Sequence, residues 1–288
     1  MDIHHIAGGG LTASIKADGA ELCALGLDGQ DVLWPAHAPW PRHAPVLFPI
    51  IGRLKNDTLR HGGREYRLTQ HGFARDRRFA WDAATATECR LVLTDDDATR
   101  ALYPFAFRFE VAYAIIEDAL VVTFRVTNTG DVVLPASMGA HPAFRWPLEP
   151  GIAKETHSLV FSADETAPTH RVAGGLLVGE TFPSVIHGRV LHLAPELFAT
   201  DAIILDPPAS QSVRYGAPGT PEVEVSWSGF PQLGIWSRAD ADLLCIEPWH
   251  GYASPADFDG DFIDKPGLML LPPGESRHAE HRVRIARP

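Results

Sequence analysis

The sequence predicts an all-β protein, built as a sandwich or a barrel, from three observations. The 25 glycines and 24 prolines are spread from end to end and divide the chain into short segments. Within many of these segments, apolar and polar residues alternate with a period of two, as in half-buried strands. Helical periodicity never extends beyond a few turns. Short strands separated by regular turn signals are typical of all-β sandwiches and barrels.

The predicted strands follow one another along the whole chain. Residues 13–34 contain two turn signals, Ala-Asp-Gly and Asp-Gly-Gln, between β-like runs. Residues 108–116 (RFEVAYAII) turn through Glu-Asp into residues 119–126 (ALVVTFRV). The same pattern continues in VEVSWSG, LGIWSR and DLLCIE, and RHAEHRVRIA predicts a last strand. Residues 194–200 (APELFAT) are expected to form a short helix or a turn.

Length and composition favour one folded unit. The chain has 288 residues, of which 45% are hydrophobic and 21% charged, so it can bury a sizeable core. No stretch has the composition of a linker, and no internal repeat stands out. All-β domains commonly reach this length, so a single domain over residues 1–288 is expected.

Charge and cysteine content exclude several classes of protein. The net charge of −11 disfavours binding to nucleic acid or to an anionic membrane surface. The three cysteines are far apart and odd in number, so they predict neither a disulfide framework nor a zinc pair. The N-terminal residues lack the pattern of a signal peptide, and no apolar run could span a membrane. A cytoplasmic protein is therefore expected.

Three histidine-containing segments join an ionisable group to aromatic residues and a chain breaker. They are QHGFARDRRF (residues 70–79), GAHPAFRWPL (residues 139–148) and CIEPWHGYAS (residues 245–254). A fourth segment, PIIGRLKN (residues 49–56), places Arg53 after an apolar run and a glycine. These segments are the candidates for a functional site.

Glu247 follows the apolar run DLLCI and precedes Pro248 and Trp249, so it is interpreted as ending a strand near the core. A buried carboxylate is rarely left unpaired, and a turn cap or an arginine partner would be its ordinary role. The aromatic neighbours Trp249 and Tyr252 favour a pocket instead, since ligand pockets combine apolar walls with a few polar groups.

His141 and His71 are both interpreted as lying at strand ends. The ordinary role of a lone histidine there is a hydrogen bond to a backbone carbonyl. Two such histidines with one glutamate and one arginine form a pattern, because proton transfer needs an acid and a base in different environments. Histidine has a reference pKa near 6.5, so it exchanges a proton at cellular pH.

The motifs PIIGRLKN, QHGFARDRRF, LYPFAF, GAHPAF, IEPWHG and DKPGLMLLPPGES together resemble the aldose 1-epimerase, or galactose mutarotase-like, superfamily. The resemblance is greatest to its LacX-like branch, and the motifs run in the family's order from about residue 49 to residue 276. It implies a β-supersandwich fold that interconverts the α and β anomers of an aldose. It also implies that the substrate is a small-molecule sugar and that no metal or redox cofactor is needed.

The same resemblance implies a role for each matching residue. Glu247 matches the general base and His141 the general acid, while His71 and Arg53 match substrate-binding positions. Asp201, in FATDAIIL, matches an acceptor for a sugar hydroxyl. Asp206 follows closely, so the choice between Asp201 and Asp206 for this contact is open. The division of work between His71 and His141 is also open. The candidate site thus comprises the catalytic residues His141, Glu247 and His71 and the substrate-binding residues Arg53, His71, Asp201, Arg75 and Trp249, with no metal ligand.

Other candidate sites are less favoured by the sequence. Residues 257–264 (DFDGDFID) fail the calcium-loop template, because Phe262 and Leu268 stand where glycine and glutamate are required. An acidic surface loop is expected there. Cys245 is expected to share a face with Glu247 as a small core residue.

Two other functions remain open beside the mutarotase. A non-catalytic carbohydrate-binding module could use the same fold, since fold does not fix function. Arg53 and Arg75 could grip a phosphate, which makes a hexose-6-phosphate mutarotase the alternative within the enzyme class. Glycoside cleavage is disfavoured because the motifs supply one convincing carboxylate where that reaction usually uses two.

Overall fold

The computed structural model describes residues 2–288, and most of its regular structure is β-strand. The strands are β1 (Ile3–Gly8), β2 (Leu11–Lys16), β3 (Glu21–Leu27), β4 (Gln30–Asp31), β5 (Val46–Leu47), β6 (Thr58–His61), β7 (Arg64–Arg67), β8 (Ala80–Ala84), β9 (Glu88–Thr94), β10 (Phe107–Ile116), β11 (Ala119–Asn128), β12 (Leu134–Ala136), β13 (Met138–Ala140), β14 (Ala143–Arg145), β15 (Ser158–Phe161), β16 (Val172–Ala173), β17 (Leu176–Leu177), β18 (Val190–His192), β19 (Ile203–Leu205), β20 (Ser212–Gly216), β21 (Glu222–Ser228), β22 (Gln232–Trp236), β23 (Leu243–His250), β24 (Met269–Leu271) and β25 (Ser276–Ala286).

Helical structure in the described residues is confined to short segments. There is one α-helical turn, Asp97–Arg100, and there are 3₁₀ segments at Lys55–Asp57, Ala74–Asp76, Lys154–Thr156, Pro195–Phe198 and Phe262–Asp264. The segment Pro195–Phe198 lies where a short helix or turn was predicted. No helix within residues 2–288 has the length and apolarity needed to cross a membrane.

Two large antiparallel sheets form the body of the molecule. The nine-stranded sheet has the order β18-β15-β20-β21-β25-β11-β10-β9-β8. Its β10–β11 hairpin pairs Ile116 with Ala119, at the turn that the sequence predicts. The second sheet runs β19-β22-β23-β13-β5, with β14 also paired to β23, and strands β1 to β4 form a smaller sheet. The prediction of an all-β fold is confirmed.

Alternating burial in the nine-stranded sheet explains the period-two pattern of the sequence. In β10, the side chains of Phe107, Phe109, Val111 and Tyr113 are buried while the residues between them are partly exposed. Each such side chain contributes on the order of 1.5–3 kcal/mol by its burial. The hydroxyl of Tyr113 is satisfied by donating to the carbonyl of Ala20 at 2.7 Å. The fold thus rests on a continuous apolar core along this face.

Strand β23 is buried on both faces, which explains its nearly continuous apolar sequence. Leu244 and Ile246 point into the main core, whereas Cys245 and Trp249 belong to separate apolar clusters on the other face. Glu247 lies on that same face, because alternate strand residues point the same way. The prediction that Glu247 ends the strand is wrong, because β23 continues through Pro248 to His250.

The acidic segment 257–264 lies against basic side chains and a neighbouring backbone turn. The carboxylate of Asp259 pairs with Arg60 at 2.5 Å, and that of Asp261 accepts a hydrogen bond from the Gly62 N–H at 3.3 Å. These contacts involve two of the four aspartates of the segment. The single-domain interpretation of residues 1–288 stays a prediction.

Candidate active site

A cavity of about 270 Å³ opens on the outer face of β23 and holds six of the seven residues predicted for the site. They are His71, Arg75, His141, Asp201, Glu247 and Trp249. This volume is slightly below the about 300–1,000 Å³ of pockets for drug-sized ligands, so it suits a molecule as small as a monosaccharide. The structure therefore brings together residues that are far apart in the sequence.

Strand pairing places His141 opposite Glu247. On one side of His141, Gly139 pairs with Trp249, and on the other side Ala143 pairs with Cys245. Counting two residues inward from each pair puts His141 across from Glu247. The Nε2 atom of His141 lies 3.2 Å from Oε2 of Glu247. His141 thus sits in the junction between β13 and β14, with Pro142 immediately after it.

Burial shifts the pKa values of this pair in opposite directions. The Glu247 side chain is 1% exposed, and burial raises its pKa well above the usual 4.5, reinforced by the charge of Asp201. The nearby indole N–H of Trp249 opposes this shift, although it does not meet hydrogen-bond geometry. Burial, with help from Arg75, lowers the pKa of His141 to about 3. The pair therefore holds one dissociable proton over the pH range between these values, and that proton resides on Glu247 in the empty site.

His71 approaches the pair from a turn, not from a strand end as predicted. Its backbone has a φ of 63°, in the left-handed region, and Gly72 follows with a φ of 71°. An added Cβ at Gly72 would lie 2.2 Å from the Phe48 carbonyl oxygen, so only glycine fits there. Uncommon backbone conformations of this kind are found at functional sites. They give the His71 ring a defined position beside His141, at 5.6 Å between ring centroids.

The hydrogen bonds of His71 fix its tautomer. Its Nδ1 accepts a hydrogen bond from the Gly52 N–H at 3.2 Å, while its own backbone N–H donates to the Gly52 carbonyl at 2.8 Å. An accepting Nδ1 requires the proton of the neutral ring to be on Nε2. Burial, followed by the charges of His141 and Arg75, lowers the pKa of His71 well below 6.5. His71 is therefore a neutral ring with its proton on Nε2, which lies 3.3 Å from the side-chain amide of Gln70.

Arg75 and Asp201 bring charge of opposite sign to the cavity. Nη2 of Arg75 donates to the Gln70 carbonyl at 2.7 Å, and burial lowers the pKa of this guanidinium to about 10. Asp201 is exposed at the rim, with a φ of 71°, and its Oδ1 accepts from the Ala202 N–H at 2.8 Å. Asp206 is not among the cavity residues, and its carboxylate instead accepts a hydrogen bond from Gln232 at 2.9 Å.

Two predicted contacts lie away from the cavity. The Arg53 guanidinium forms a two-point pair with the Asp57 carboxylate at 2.9 Å and is not part of the lining. Tyr252 is not in the lining either, and Nζ of Lys265 lies 5.1 Å above its ring. Substrate contact by Arg53 therefore stays a prediction.

Two tryptophans that the sequence did not single out complete the cavity wall. Trp40 stacks on His141 with ring centroids 5.4 Å apart and an interplanar angle of 27°. Trp236 meets the same imidazole edge-on at 5.7 Å. Trp40 belongs to an irregular proline-rich segment, so no periodicity marks it. Trp236 lies within the predicted strand LGIWSR and ends the observed strand β22, and the available signal was an aromatic residue followed by two polar ones.

Several buried polar atoms in the cavity lack a hydrogen-bond partner within residues 2–288. They are Oε2 of Glu247, Nδ1 of His141, Nε1 of Trp249 and Nε of Arg75. The approach of His141 Nε2 to Glu247 does not meet hydrogen-bond geometry, although the distance is short. Unsatisfied buried polar groups are costly and uncommon in proteins. Their clustering marks the cavity as a candidate binding site for a polar ligand.

Comparison with known proteins agrees with this fold and cavity. A family model described as aldose 1-epimerase matches residues 2–282. The plasmid form of protein LacX from Lactococcus lactis subsp. lactis is 29% identical over 288 residues, covering 96% of this chain and 96% of that protein. A galactose mutarotase related enzyme from Lactobacillus acidophilus superposes with a TM-score of 0.92 at 31% identity, covering 99% of this chain and 97% of that one.

A galactose mutarotase-like protein from Lactobacillus casei gives a TM-score of 0.91 at 27% identity, with 99% of this chain and 100% of that chain covered. The fold is thus a β-supersandwich of the galactose mutarotase type, with a cavity lined by acid, base and aromatic groups. The chain belongs to the aldose 1-epimerase family. The family and the likeness to LacX that the motifs predict are confirmed.

Proposed function

We propose that this protein is an aldose 1-epimerase that interconverts the α and β anomers of a sugar by general acid and base catalysis. The main support is the Glu247–His141 pair, which faces a monosaccharide-sized cavity with its reactive atoms 3.2 Å apart. A non-catalytic binding module would need neither a matched acid and base nor opposite pKa shifts in them. The pair therefore favours an enzyme over a binder.

The reaction begins with the proton of the Glu247–His141 pair on the imidazole. The carboxylate of Glu247 removes the proton of the anomeric hydroxyl, and the His141 imidazolium donates its proton to the ring oxygen. The bond between C1 and the ring oxygen breaks, leaving an open-chain aldehyde. Rotation about C1–C2 presents the other carbonyl face. On closure, His141 takes back the proton of the attacking hydroxyl and Glu247 returns its proton to the anomeric oxygen.

The empty site holds the shared proton on the other partner from the one that the cycle requires, so a proton transfer precedes the reaction. The shared proton is on Glu247 before substrate arrives, and its transfer to His141 across 3.2 Å gives the reactive carboxylate and imidazolium together. A carboxylate with a raised pKa is a stronger base, and an imidazole with a lowered pKa gives a stronger acid. Burial of the pair thus increases both reactivities.

The other cavity residues bind the sugar. His71 donates a hydrogen bond through Nε2, since its Nδ1 is already engaged by Gly52. Asp201 at the rim accepts from a hydroxyl group, and the indole of Trp249 offers an apolar face and an N–H without a partner. These contacts hold the anomeric carbon between Glu247 and His141.

A hexose-6-phosphate mutarotase is the second candidate, and Arg75 is the observation in its favour. Nε of Arg75 is buried beside the cavity without a hydrogen-bond partner, and the Asp76 carboxylate lies 3.9 Å away. Arginine binds phosphate oxygens through such N–H groups. The Arg53–Asp57 pair weakens this candidate, because the second arginine proposed for the phosphate is already neutralised.

Anomer exchange measured by NMR over a panel of aldoses and their 6-phosphates tests both candidates. Acceleration of exchange for free sugars supports the aldose 1-epimerase, and acceleration confined to phosphorylated sugars supports the second candidate. Binding of a sugar with no acceleration for any member of the panel would contradict both and leave the binding module.

A further inference from the structure

Three potential metal ligands meet behind the cavity. Cys245 and Glu247 are two residues apart on β23 and point to the same face, and the side chain of His141 approaches both from the junction of β13 and β14. One ligand atom from each of the three residues lies within 4.8 Å of the others, and all three side chains are buried. In the proposed reaction, His141 and Glu247 transfer the protons, and the thiol of Cys245 has no role.

The donor set suits zinc. An imidazole nitrogen, a thiolate sulfur and a carboxylate oxygen are the ligands that zinc prefers, at about 2.0–2.3 Å each. Tetrahedral bonds of that length place ligand atoms on the order of 3.3–3.8 Å apart. The observed spacing therefore needs shifts of less than roughly 1.5 Å, which side-chain rotation supplies. Two of the three ligands, His141 and Glu247, line the cavity.

An independent feature of these residues also points to a ligand. Oε2 of Glu247 and Nδ1 of His141 are buried and lack hydrogen-bond partners within the described chain. The side chains of Glu247 and His141 are 1% and 8% exposed. The negative charge of Asp201 near Glu247 favours a bound cation, whereas the positive charge of Arg75 near His141 disfavours one. A bound divalent ion would satisfy the carboxylate oxygen in a way that no protein group does.

We propose that His141, Cys245 and Glu247 form a binding site for zinc that inhibits the enzyme. The ion is coordinated by the thiolate of Cys245. The thiol proton passes to solvent, so no oxidant or reductant is involved. Zinc binding does not depend on the proposed function, whereas inhibition rests on it, because the ion occupies the acid and the base of the anomer exchange. The ion has no part in that reaction, so EDTA leaves the activity of metal-free protein unchanged.

Burial weakens the site without removing it. Buried surroundings, and to a lesser extent Glu247, raise the pKa of the Cys245 thiol well above 9. Metal binding must therefore displace a tightly held proton, which lowers the apparent affinity at neutral pH.

Cobalt(II) titration of the wild-type protein tests the binding directly. A cobalt–thiolate bond produces a charge-transfer absorption in the near ultraviolet, and the site predicts that band with one equivalent bound. Addition of zinc should displace cobalt and abolish the band. Absence of a thiolate band, or saturation without any spectral change, would overturn the proposal whatever the enzymatic activity.

Cys245→Ala and Cys89→Ala form a matched pair for the inhibition. Both cysteines are buried and unpaired, but Cys89 lies on β9, away from the cavity. Each variant is assayed for anomer exchange with and without zinc, relative to its own metal-free rate. Cys245→Ala should need at least about tenfold more zinc for half inhibition, as loss of one strong ligand predicts, while Cys89→Ala should match the wild type.

Equal zinc sensitivity in the two variants would contradict the assignment. If Cys245→Ala does not fold, Glu247→Gln replaces it, with cobalt binding as the measurement because this variant is expected to lack activity. Weaker cobalt binding in Glu247→Gln would support the site, and unchanged binding with an intact band would exclude the carboxylate as a ligand.

Discussion

At the scale of single residues, the environment of the Glu247–His141 pair decides the chemistry. Neither side chain differs from an ordinary glutamate or histidine until burial shifts their pKa values in opposite directions. Sequence motifs placed both residues in the candidate site, but the absence of an arginine partner for Glu247 could not be read from the sequence. Trp40 and Trp236 were missed because their contact with His141 is made only in the fold.

The two histidines should differ in what their replacement does. His141→Asn should lower kcat by ~10²–10⁴-fold, because it removes a proton donor needed in the transition state. His71→Asn should retain more turnover and lose mainly KM, since asparagine can still donate one hydrogen bond. Steady-state kinetics on both variants make the comparison. A larger loss of kcat at His71 would reverse the assignment, and equal losses would show that the histidines act as one unit.

The pH dependence of kcat/KM should be bell-shaped. The active form of the pair carries one proton, and it loses that proton as pH rises through the upper pKa of the pair, which burial raises well above 4.5. It gains a second proton as pH falls toward the lower pKa, near 3 in the empty site. Activity is therefore present between the two values and lost on both sides. After subtraction of the uncatalysed rate, a profile that reaches a plateau at high pH would contradict a shared proton.

At the scale of strands, close backbone contacts position the tryptophan of the site. The indole of Trp249 lies over two glycines of neighbouring strands, Gly139 on β13 and Gly234 on β22. An added Cβ would lie 2.7 Å from Cδ1 of Trp249 at Gly139 and 2.4 Å from its Cη2 at Gly234. The predicted strands were correct in type, but Glu247 was expected at a strand end because Pro248 was interpreted as a breaker. Pro248 instead pairs with Leu233 inside β23.

Gly234→Ala should displace the Trp249 indole. Overpacking of this kind typically costs ~1–3 kcal/mol of stability, and movement of the cavity wall should raise KM. Gly179→Ala is the matched control, because an added Cβ there meets no atom within 4 Å. Thermal unfolding and kinetics are measured for both. Wild-type stability and KM in Gly234→Ala would show that the indole can move freely, against its assigned role.

At the scale of the whole molecule, pairing between distant segments builds the sheets. The period-two pattern predicted the fold class and the β10–β11 hairpin, whose partners are adjacent in sequence. It could not predict that β25, the last strand, lies between β21 and β11 in the middle of the nine-stranded sheet. Strand order depends on contacts between segments far apart in the chain, and a local pattern carries no information on them.

Removal of the last strand should therefore unfold the protein. Truncation after residue 275 deletes β25 and exposes the partners of its buried residues Ala279, Val283 and Ile285. Burial of the two larger side chains alone contributes about 1.5–3 kcal/mol each, against a typical total stability of ~5–15 kcal/mol. Removal of only the exposed residues 287 and 288 is the control. Circular dichroism and thermal unfolding follow both, and a folded protein without β25 would contradict the central position of this strand.

The central claim is that Glu247 is the base of an anomer exchange, and NMR exchange rates for wild type and Glu247→Gln test it most directly. The wild type should accelerate exchange of at least one aldose of the panel, and the variant should lose ~10²–10⁴-fold of that acceleration. Its stability should change little, because the amide resembles the protonated carboxyl that burial favours. A folded Glu247→Gln variant that exchanges anomers at the wild-type rate would contradict the account.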